Sequence, residues 1–267
     1  MADPLGRAET RTILERHGVR LRSSLGQHFL TEPNTVRRIV EISGVGPGSQ
    51  VLEIGAGAGT MTRALADTGA RVIAYEVDEA LGPVLEEVVG DSAEIRFEDA
   101  AGIDFGTVLP PGEWTLVANL PYNVGTPILL TMLREVPRVV RFVVMLQREA
   151  IDRLAAAPGS KTYGVPSVIV ALHGRIAVAL RVPPHLFFPR PKVESAVAVI
   201  ERIPPDPASE RAIEIAAAAF GQRRKMVRTS LRGPFADPVA ALAAAGVDPT
   251  ARAEDLSPDD YLRLAAA

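Results

Sequence analysis

Short apolar runs alternate with helix-period stretches through the middle of the chain. QVLEI (50–54) is an apolar run that stops at glycine, and TMTRALADTG follows with helical spacing. RVIAYEV (71–77), EIRFED (94–99), WTLVANL (114–120) and RFVVMLQ (141–147) continue the series, with EALGPVLEEVV as a helix between the first two. Strands separated by helical patterns predict βαβ units and a mostly parallel sheet covered on both faces. Beyond residue 165 the rhythm changes. SVIVALHG, RIAVALRVP and SAVAVIERI lie close together, with no helix-length gap between the first two. That spacing predicts a hairpin or an antiparallel edge finishing the sheet. The run IPPDPAS (203–209) is the predicted linker, because its prolines continue neither strand nor helix. Ala-rich helical stretches follow it, and Asp237-Pro238 and Ser257-Pro258 read as helix starts, an N-cap followed by proline. The pattern therefore predicts an α/β sheet domain over 25–203, a basic N-terminal extension over 1–24 and a small all-α domain over 204–267.

Composition narrows the chemistry. The 267 residues contain no Cys, which removes disulfides, thiolate zinc sites and cysteine nucleophiles and suits a reducing cytoplasm. The four His, at 17, 28, 173 and 185, have no ligand spacing, so no metal site is expected. No window offers 18 uncharged apolar residues, and the N-terminal sequence lacks the apolar core of a secretory signal. A cytoplasmic protein with no membrane partner is expected, and nothing requires more than a monomer. The formal net charge of -3 argues at first against a nucleic-acid partner. Residues 71–113 alone, however, carry eleven acids and two bases, a net of -9, so the remainder of the chain is +6. Segment 220–232, FGQRRKMVRTSLR, carries five bases and no acid.

Three segments carry candidate chemistry. In VLEIGAGAGTMT a strand meets Gly55, Gly57 and Gly59 and then a helix, a turn that lets backbone approach a ligand closely. Glu76 ends the next strand, 21 residues after Gly55, where an acid can accept both hydroxyls of a ribose. The spacing is G-x-G-x-G with Glu53 before it, which differs from the dinucleotide spacing G-x-G-x-x-G. Asp99 ends the third strand in FEDA and reads on its own as a helix or turn cap.

The second segment is Asn119-Leu120-Pro121-Tyr122. Pro cannot donate to a ladder, so the strand ends there and projects these residues at its carboxyl end, where open α/β sheets bind ligands. The Asn119 Oδ1 and the Leu120 carbonyl can accept from an exocyclic amine, and Tyr122 offers a face to a planar base. Two acceptors aimed at such a nitrogen favour a more tetrahedral form and direct its lone pair. A reaction at that nitrogen would then rely on alignment and preorganised electrostatics rather than a covalent intermediate. The third segment, Phe187-Phe188-Pro189-Arg190-Pro191-Lys192, is a proline-stiffened loop that can hold an aromatic over a flipped base, and its register points to Phe187. Arg190 and Lys192 are candidate phosphate contacts.

Together, LGQHFL (25–30), VLEIGAGAGTMT (51–62), NLPYNVGTPIL (119–129), FFPRPKVESAV (187–197) and FGQRRKMVRTSL (220–231) resemble the ribosomal RNA adenine dimethyltransferases, specifically the bacterial branch acting on the small subunit. The resemblance implies a Rossmann-like class I methyltransferase fold, a mostly parallel seven-stranded sheet with an antiparallel edge, plus the helical C-terminal domain. It implies S-adenosylmethionine as cofactor. It also implies transfer of two methyl groups to N6 of each of two adjacent adenosines in the 3′-terminal hairpin loop of 16S rRNA, within the assembling 30S subunit. Cofactor contacts carry over onto His28, Leu30, Gly55, Gly57, Glu76, Asp99 and Asn119. Catalytic positioning falls on Asn119, Leu120, Tyr122 and Phe187, and RNA contacts on Arg190, Lys192, Arg223, Arg224, Lys225 and Arg228. Three departures from the pattern are His28 where many members have Asn, Gly125 where Ala or Ser is common, and the stretch AAGIDF after Asp99, which lacks the Lys often seen there. Three alternatives share parts of this pattern: a methyltransferase of 23S rRNA, a non-catalytic rRNA-binding assembly factor and a small-molecule N-methyltransferase. The first shares the glycine loop and the tetrapeptide. The third has little use for the basic run at 223–228.

Overall fold

The computed structural model describes residues 3–22 and 25–267. The chain opens with helix α1 (Arg7–Arg16), the short strand β1 (Phe29–Leu30) and helix α2 (Pro33–Ser43). The predicted alternation follows: β2 (Gln50–Ile54), α3 (Thr60–Ala66), β3 (Arg71–Glu76), α4 (Gly82–Val88), β4 (Glu94–Phe97), α5 (Phe105–Val108), β5 (Trp114–Asn119), α6 (Gly125–Glu135) and β6 (Val139–Gln147). These strands align in parallel in the order β4-β3-β2-β5-β6. Their apolar runs suit a sheet buried on both faces: Val51, Leu52, Ile73, Ala74, Leu116, Val117 and Phe142 through Leu146 are all inaccessible to water.

The chain continues through α7 (Arg148–Leu154), α8 (Val165–His173), β7 (Gly174–Val182), β8 (Phe187–Phe188) and β9 (Ser195–Arg202). The sheet has seven strands, in the order β4-β3-β2-β5-β6-β9-β7, and β9 runs antiparallel to β6. This is the predicted mostly parallel sheet with an antiparallel edge. One predicted strand is a helix instead. SVIVALHG belongs to α8, with Pro166 in its first turn and Val168, Ile169, Val170 and Leu172 all buried. A helix apolar on every side has no polar stripe to reveal its period, so its β-branched run reads as a strand.

The last elements are α9 (Ser209–Gly221), α10 (Val227–Ser230), α11 (Pro238–Ala244) and α12 (Pro258–Ala266). Asp237 and Ser257 cap α11 and α12 as their sequences predict. The chain divides into two compact units. One comprises residues up to Ile151 together with Ala177–Glu201, and the other comprises Asp152–Ile176 with Arg202–Ala267. The C-terminal division falls beside the proline-rich run, but the helical unit also takes in 152–176, which the sequence pattern assigns to the sheet. The cause is packing: Tyr163 meets Phe220 edge-on, and Phe220 lies 6.4 Å from Tyr261. Nor is the N-terminal segment an appended arm. Ile13 and Leu14 enter the core of the first unit, and Arg7 donates 2.6 Å hydrogen bonds to the carbonyls of His185 and Phe187.

Candidate active site

The glycine turn follows β2, which lies between β3 and β5 although β5 comes later in the chain. The strand order therefore reverses beside the turn, the position where open α/β sheets bind ligands. A cleft of about 170 Å³ opens there. It is lined by His28, Gly55, Gly57, Glu76, Asp99, Asn119, Leu120 and Tyr122, so the glycine turn, the two acids, the Asn119–Tyr122 segment and His28 meet there, whereas no residue of the Phe187–Lys192 segment lines it. Leu30 does not line this cleft. It is buried and lines a smaller adjoining cavity of about 40 Å³ with Glu53, Gly55, Gly57 and Asn119.

The glycine turn is fastened to β3 by bonds from the Gly55 and Ala56 amides to the Tyr75 carbonyl, at 2.8 and 3.2 Å. Gly57 has φ +57°, and a Cβ there would lie 2.9 Å from the Phe29 ring. A side chain at this position would therefore both strain the turn and fill the cradle. Glu76 is 6% exposed and accepts from the Gly57 amide at 2.8 Å and the Asp78 amide at 2.9 Å. Burial raises its pKa, and the two amide bonds oppose the rise. Each of its oxygens keeps a second lone pair for a hydroxyl donor. Asp99 lines the cleft, and its Oδ1 accepts from the Ala101 amide at 3.0 Å, which makes it a turn cap.

Glu53 is the most perturbed acid here. It is inaccessible to water and its Oε2 has no partner among the described residues. Burial pushes its pKa up to about 8, the Thr62 hydroxyl opposes this, and the Glu76 carboxylate adds to it. The acid therefore holds its proton near neutrality and places no second negative charge beside Glu76.

On the other side of the glycine turn, β5 ends at Asn119. The Leu120 amide still reaches the Met145 carbonyl at 3.1 Å, and Pro121 then ends the ladder. The Asn119 Nδ2 donates to the His28 carbonyl at 3.0 Å, which leaves Oδ1 as an acceptor at the cleft. The Leu120 carbonyl receives no backbone hydrogen bond among the described residues. The Tyr122 hydroxyl is 2.6 Å from Ser195 Oγ, and its ring stacks on that of His28 at 5.5 Å and 28°. Burial raises the Tyr122 pKa, with the Ser195 bond opposing, so the phenol stays neutral. His28 Nδ1 lies 2.8 Å from the Pro189 carbonyl, to which it donates. His28 thus ties the LGQHFL and FFPRP segments together, assisted by the β1–β8 pairing of Leu30 with Phe187 and Phe29 with Phe188.

That pairing corrects one expectation. Phe187 is wholly buried in the core and does not line the cleft, so its ring offers no face to a base. Successive side chains of a strand point to opposite faces, and the register with β1 turns Phe187 inward and leaves Phe188 half-buried. Gly125 has a local cause: a Cβ there would sit 2.6 Å from Leu120 Cβ and 2.7 Å from Leu146 Cδ2.

The cationic candidates divide. Arg190 and Lys192 are exposed on the loop before β9. Arg223, Arg224 and Lys225 lie in a turn after α9 rather than on a helix, and Arg228 is exposed on α10. Arg223 is already engaged, pairing with Glu254 at 2.5 Å and donating to the Lys161 carbonyl at 2.9 Å. Sequence reasoning missed Ser195, which anchors Tyr122, and Asp78, which accepts from Gln27 Nε2 at 2.7 Å. A polar residue opening an otherwise apolar final strand is the signal for Ser195. An acid two places after Glu76 is the signal for Asp78. Among the described residues no cluster of His, Asp and Glu could hold a metal ion, and no helix is long and apolar enough to cross a membrane.

Comparisons with known proteins agree with this geometry. The chain is 45% identical to the Ribosomal RNA small subunit methyltransferase A of Nocardia farcinica, over 98% of this chain and 94% of that one. It is 44% identical to the protein of the same name from Gluconobacter oxydans, over 96% and 86%. Among solved structures, the 23S rRNA methyltransferase ErmE superposes with a TM-score of 0.70 at 27% identity, covering 89% of this chain and 98% of that one. A dimethyladenosine transferase from Plasmodium falciparum superposes at 0.75 with 21% identity, covering 89% and 96%, and shares the fold. The family model for ribosomal RNA adenine dimethylase matches residues 18–267, and the chain belongs to that family.

Proposed function

We propose that this protein transfers methyl groups from S-adenosylmethionine to N6 of two adjacent adenosines in the 3′-terminal hairpin loop of 16S rRNA, two to each, in the assembling 30S subunit of the cytoplasm. The observation that carries this reading is the anchoring of Asn119. Its Nδ2 is bound to the His28 carbonyl, so its Oδ1 is held as an acceptor beside the Leu120 carbonyl, which receives no backbone hydrogen bond among the described residues. A monomethylated adenine N6 keeps one hydrogen for one of these acceptors, and an unmethylated N6 presents two hydrogens that match the pair. Accepting both pulls the nitrogen toward a tetrahedral form and directs its lone pair along one line.

The cradle at Gly57 and the carboxylates of Glu76 and Asp99 fit S-adenosylmethionine, which supplies an electrophilic methyl group on a cationic sulfur. In this reading Gly55 and Gly57 admit the cofactor's backbone-hugging portion, Glu76 receives ribose hydroxyls, and Asp99 faces an amino group. His28 and Leu30 border its amino-acid end. Tyr122 borders the target base with one face already packed on His28. Its neutral phenol, held by Ser195, fixes the ring and takes no proton. The chain acts by positioning, with no covalent enzyme intermediate, and the proton that N6 releases as the methyl group arrives passes to solvent.

The likeness to ErmE makes 23S rRNA the competing substrate. Mass spectrometry of the 16S rRNA 3′ end, from cells with and without the gene, tests the reading. Four N6 methyl groups should be present only with the gene. Methylation of naked 23S rRNA, with 16S particles untouched, would overturn it.

A further inference from the structure

A second depression lies beside the target site, and we propose that it is a nucleobase subsite that holds the neighbour of the target adenosine, with Gln147 as its reader. The inference rests on the rRNA reading above. The cavity measures about 210 Å³ and is lined by Gln147, Arg148, Glu149, Val193 and Glu194.

Its place follows from the sheet register. Met145 of β6 pairs with Asn119 of β5, and Gln147 pairs with Ser195 of β9. Adjacent strands lie about 4.8 Å apart and a strand rises about 3.3 Å per residue. Gln147 therefore stands one strand over from Asn119 and two residues further toward the carboxyl edge. Ser195, the register partner of Gln147, is also the residue whose hydroxyl anchors Tyr122.

The lining suits a purine base. Gln147 is half-buried, and its amide makes no hydrogen bond among the described residues, so one donor and one acceptor are uncommitted. A glutamine amide matches adenine by accepting from N6–H and donating to N7. Guanine presents acceptors at both O6 and N7 and cannot satisfy both halves of the amide. Adenosines in RNA loops are unstacked and expose these edges. Val193 is 41% exposed and supplies an apolar wall. On the other wall Arg148 and Glu194 are paired with each other, the Arg148 amide donating to the Glu194 carbonyl at 2.9 Å and the Arg148 Nη1 to Glu194 Oε2 at 2.8 Å, and Glu149 adds one carboxylate. Arg190 and Lys192, exposed on the same loop as Val193, stand ready for the phosphates flanking such a base. An enzyme acting on two adjacent adenosines needs a place for the still unmethylated one while the first reacts, and this pocket provides it.

The test uses full-length protein, S-adenosylmethionine and small-subunit particles whose 16S rRNA carries adenosine or guanosine beside one scored target. With wild-type protein, guanosine should lower kcat/KM about tenfold, the scale of one bidentate base contact. Gln147→Ala should lose about tenfold on the adenosine particle and show no further loss on the guanosine one. Gln147→Glu, which keeps the volume and loses the donor, should behave like Gln147→Ala. Cofactor affinity and thermal unfolding should match wild type in both variants. A wild-type preference for adenosine that survives Gln147→Ala would overturn the subsite. Absence of any transfer to the particle by wild-type protein would instead overturn the rRNA reading itself.

Discussion

On the β3 side of the cleft, each functional side chain is held by backbone groups near it in the chain. Glu76 is bound by amides 19 and 2 residues away, and Asp99 by an amide 2 residues away. On the β5 side the hydrogen bonds span 91 residues from Asn119 to His28, 161 from His28 to Pro189 and 73 from Tyr122 to Ser195. The first half is a local turn that forms whenever its two strands pair. The second exists only when three remote segments close on one another. The difference matches the tasks proposed for them. A small cofactor can be met by a fixed local motif. A base drawn out of RNA must be met by a surface assembled from several loops, and such a surface is exposed to perturbation from a distance.

The largest expected effect breaks the second half alone. Asn119→Ala removes one of the two acceptors at the cleft while Gly57, Glu76 and Asp99 stay in place. Removing one preorganised hydrogen-bonding group of this kind costs about 3 kcal/mol, or roughly two to three orders of magnitude in kcat. Methyl incorporation into small-subunit particles measures it, and RNA binding should persist. Activity within about threefold of wild type, far short of that scale, would remove Asn119 from the mechanism.

The next effect belongs to the first half and is read in stability. A buried acid with a raised pKa holds its proton more tightly folded than unfolded. The contribution of Glu53 is therefore intact below its ordinary value of 4.5, declines as pH rises, and is fully lost above about 8. The upward shift of Glu76 acts in the same direction. Glu53→Gln keeps the shape without the charge, so it should flatten the fall between about pH 5 and 8 and exceed wild type in stability at about pH 8.5. Urea unfolding across that range is the measurement, and an unchanged slope would show that Glu53 ionises at no cost.

The same contrast explains which features are legible in the sequence. The glycine turn, Glu76 and Asp99 are legible because strand ends and turn residues follow one another in the chain, and the strand pattern alone puts them on one edge. Asn119-Leu120-Pro121 is legible for the same reason, since proline marks where the ladder stops. The choice between Phe187 and Phe188 is not, because it depends on a two-residue pairing with β1 that no periodicity signals. α8 reads as a strand because a helix buried on all sides has lost its amphipathic stripe. Residues 223–225 read as helix because a basic run after an Ala-rich helix continues its composition. The structure ends α9 at Gly221 and turns there.

That turn sets the smallest and most local prediction, because it holds three adjacent bases in different circumstances. Arg223 is engaged by Glu254 and the Lys161 carbonyl, whereas Arg224 and Lys225 are exposed and show no such partner among the described residues. A cation already bound within the protein has little left to offer a phosphate. Removing one cation–phosphate pair lowers the slope of log K against log salt by about 0.7 to 0.9. Arg224→Ala with Lys225→Ala should therefore reduce the slope for binding small-subunit particles by about 1.5, with thermal unfolding unchanged. Arg223→Ala should do the opposite, leaving the slope near wild type. It should lower stability by no more than about 1 kcal/mol, the range for an exposed pair. If all three residues change the slope equally, the ion pair to Glu254 gives way when RNA binds, and the turn acts as one basic surface rather than two free cations beside a structural one.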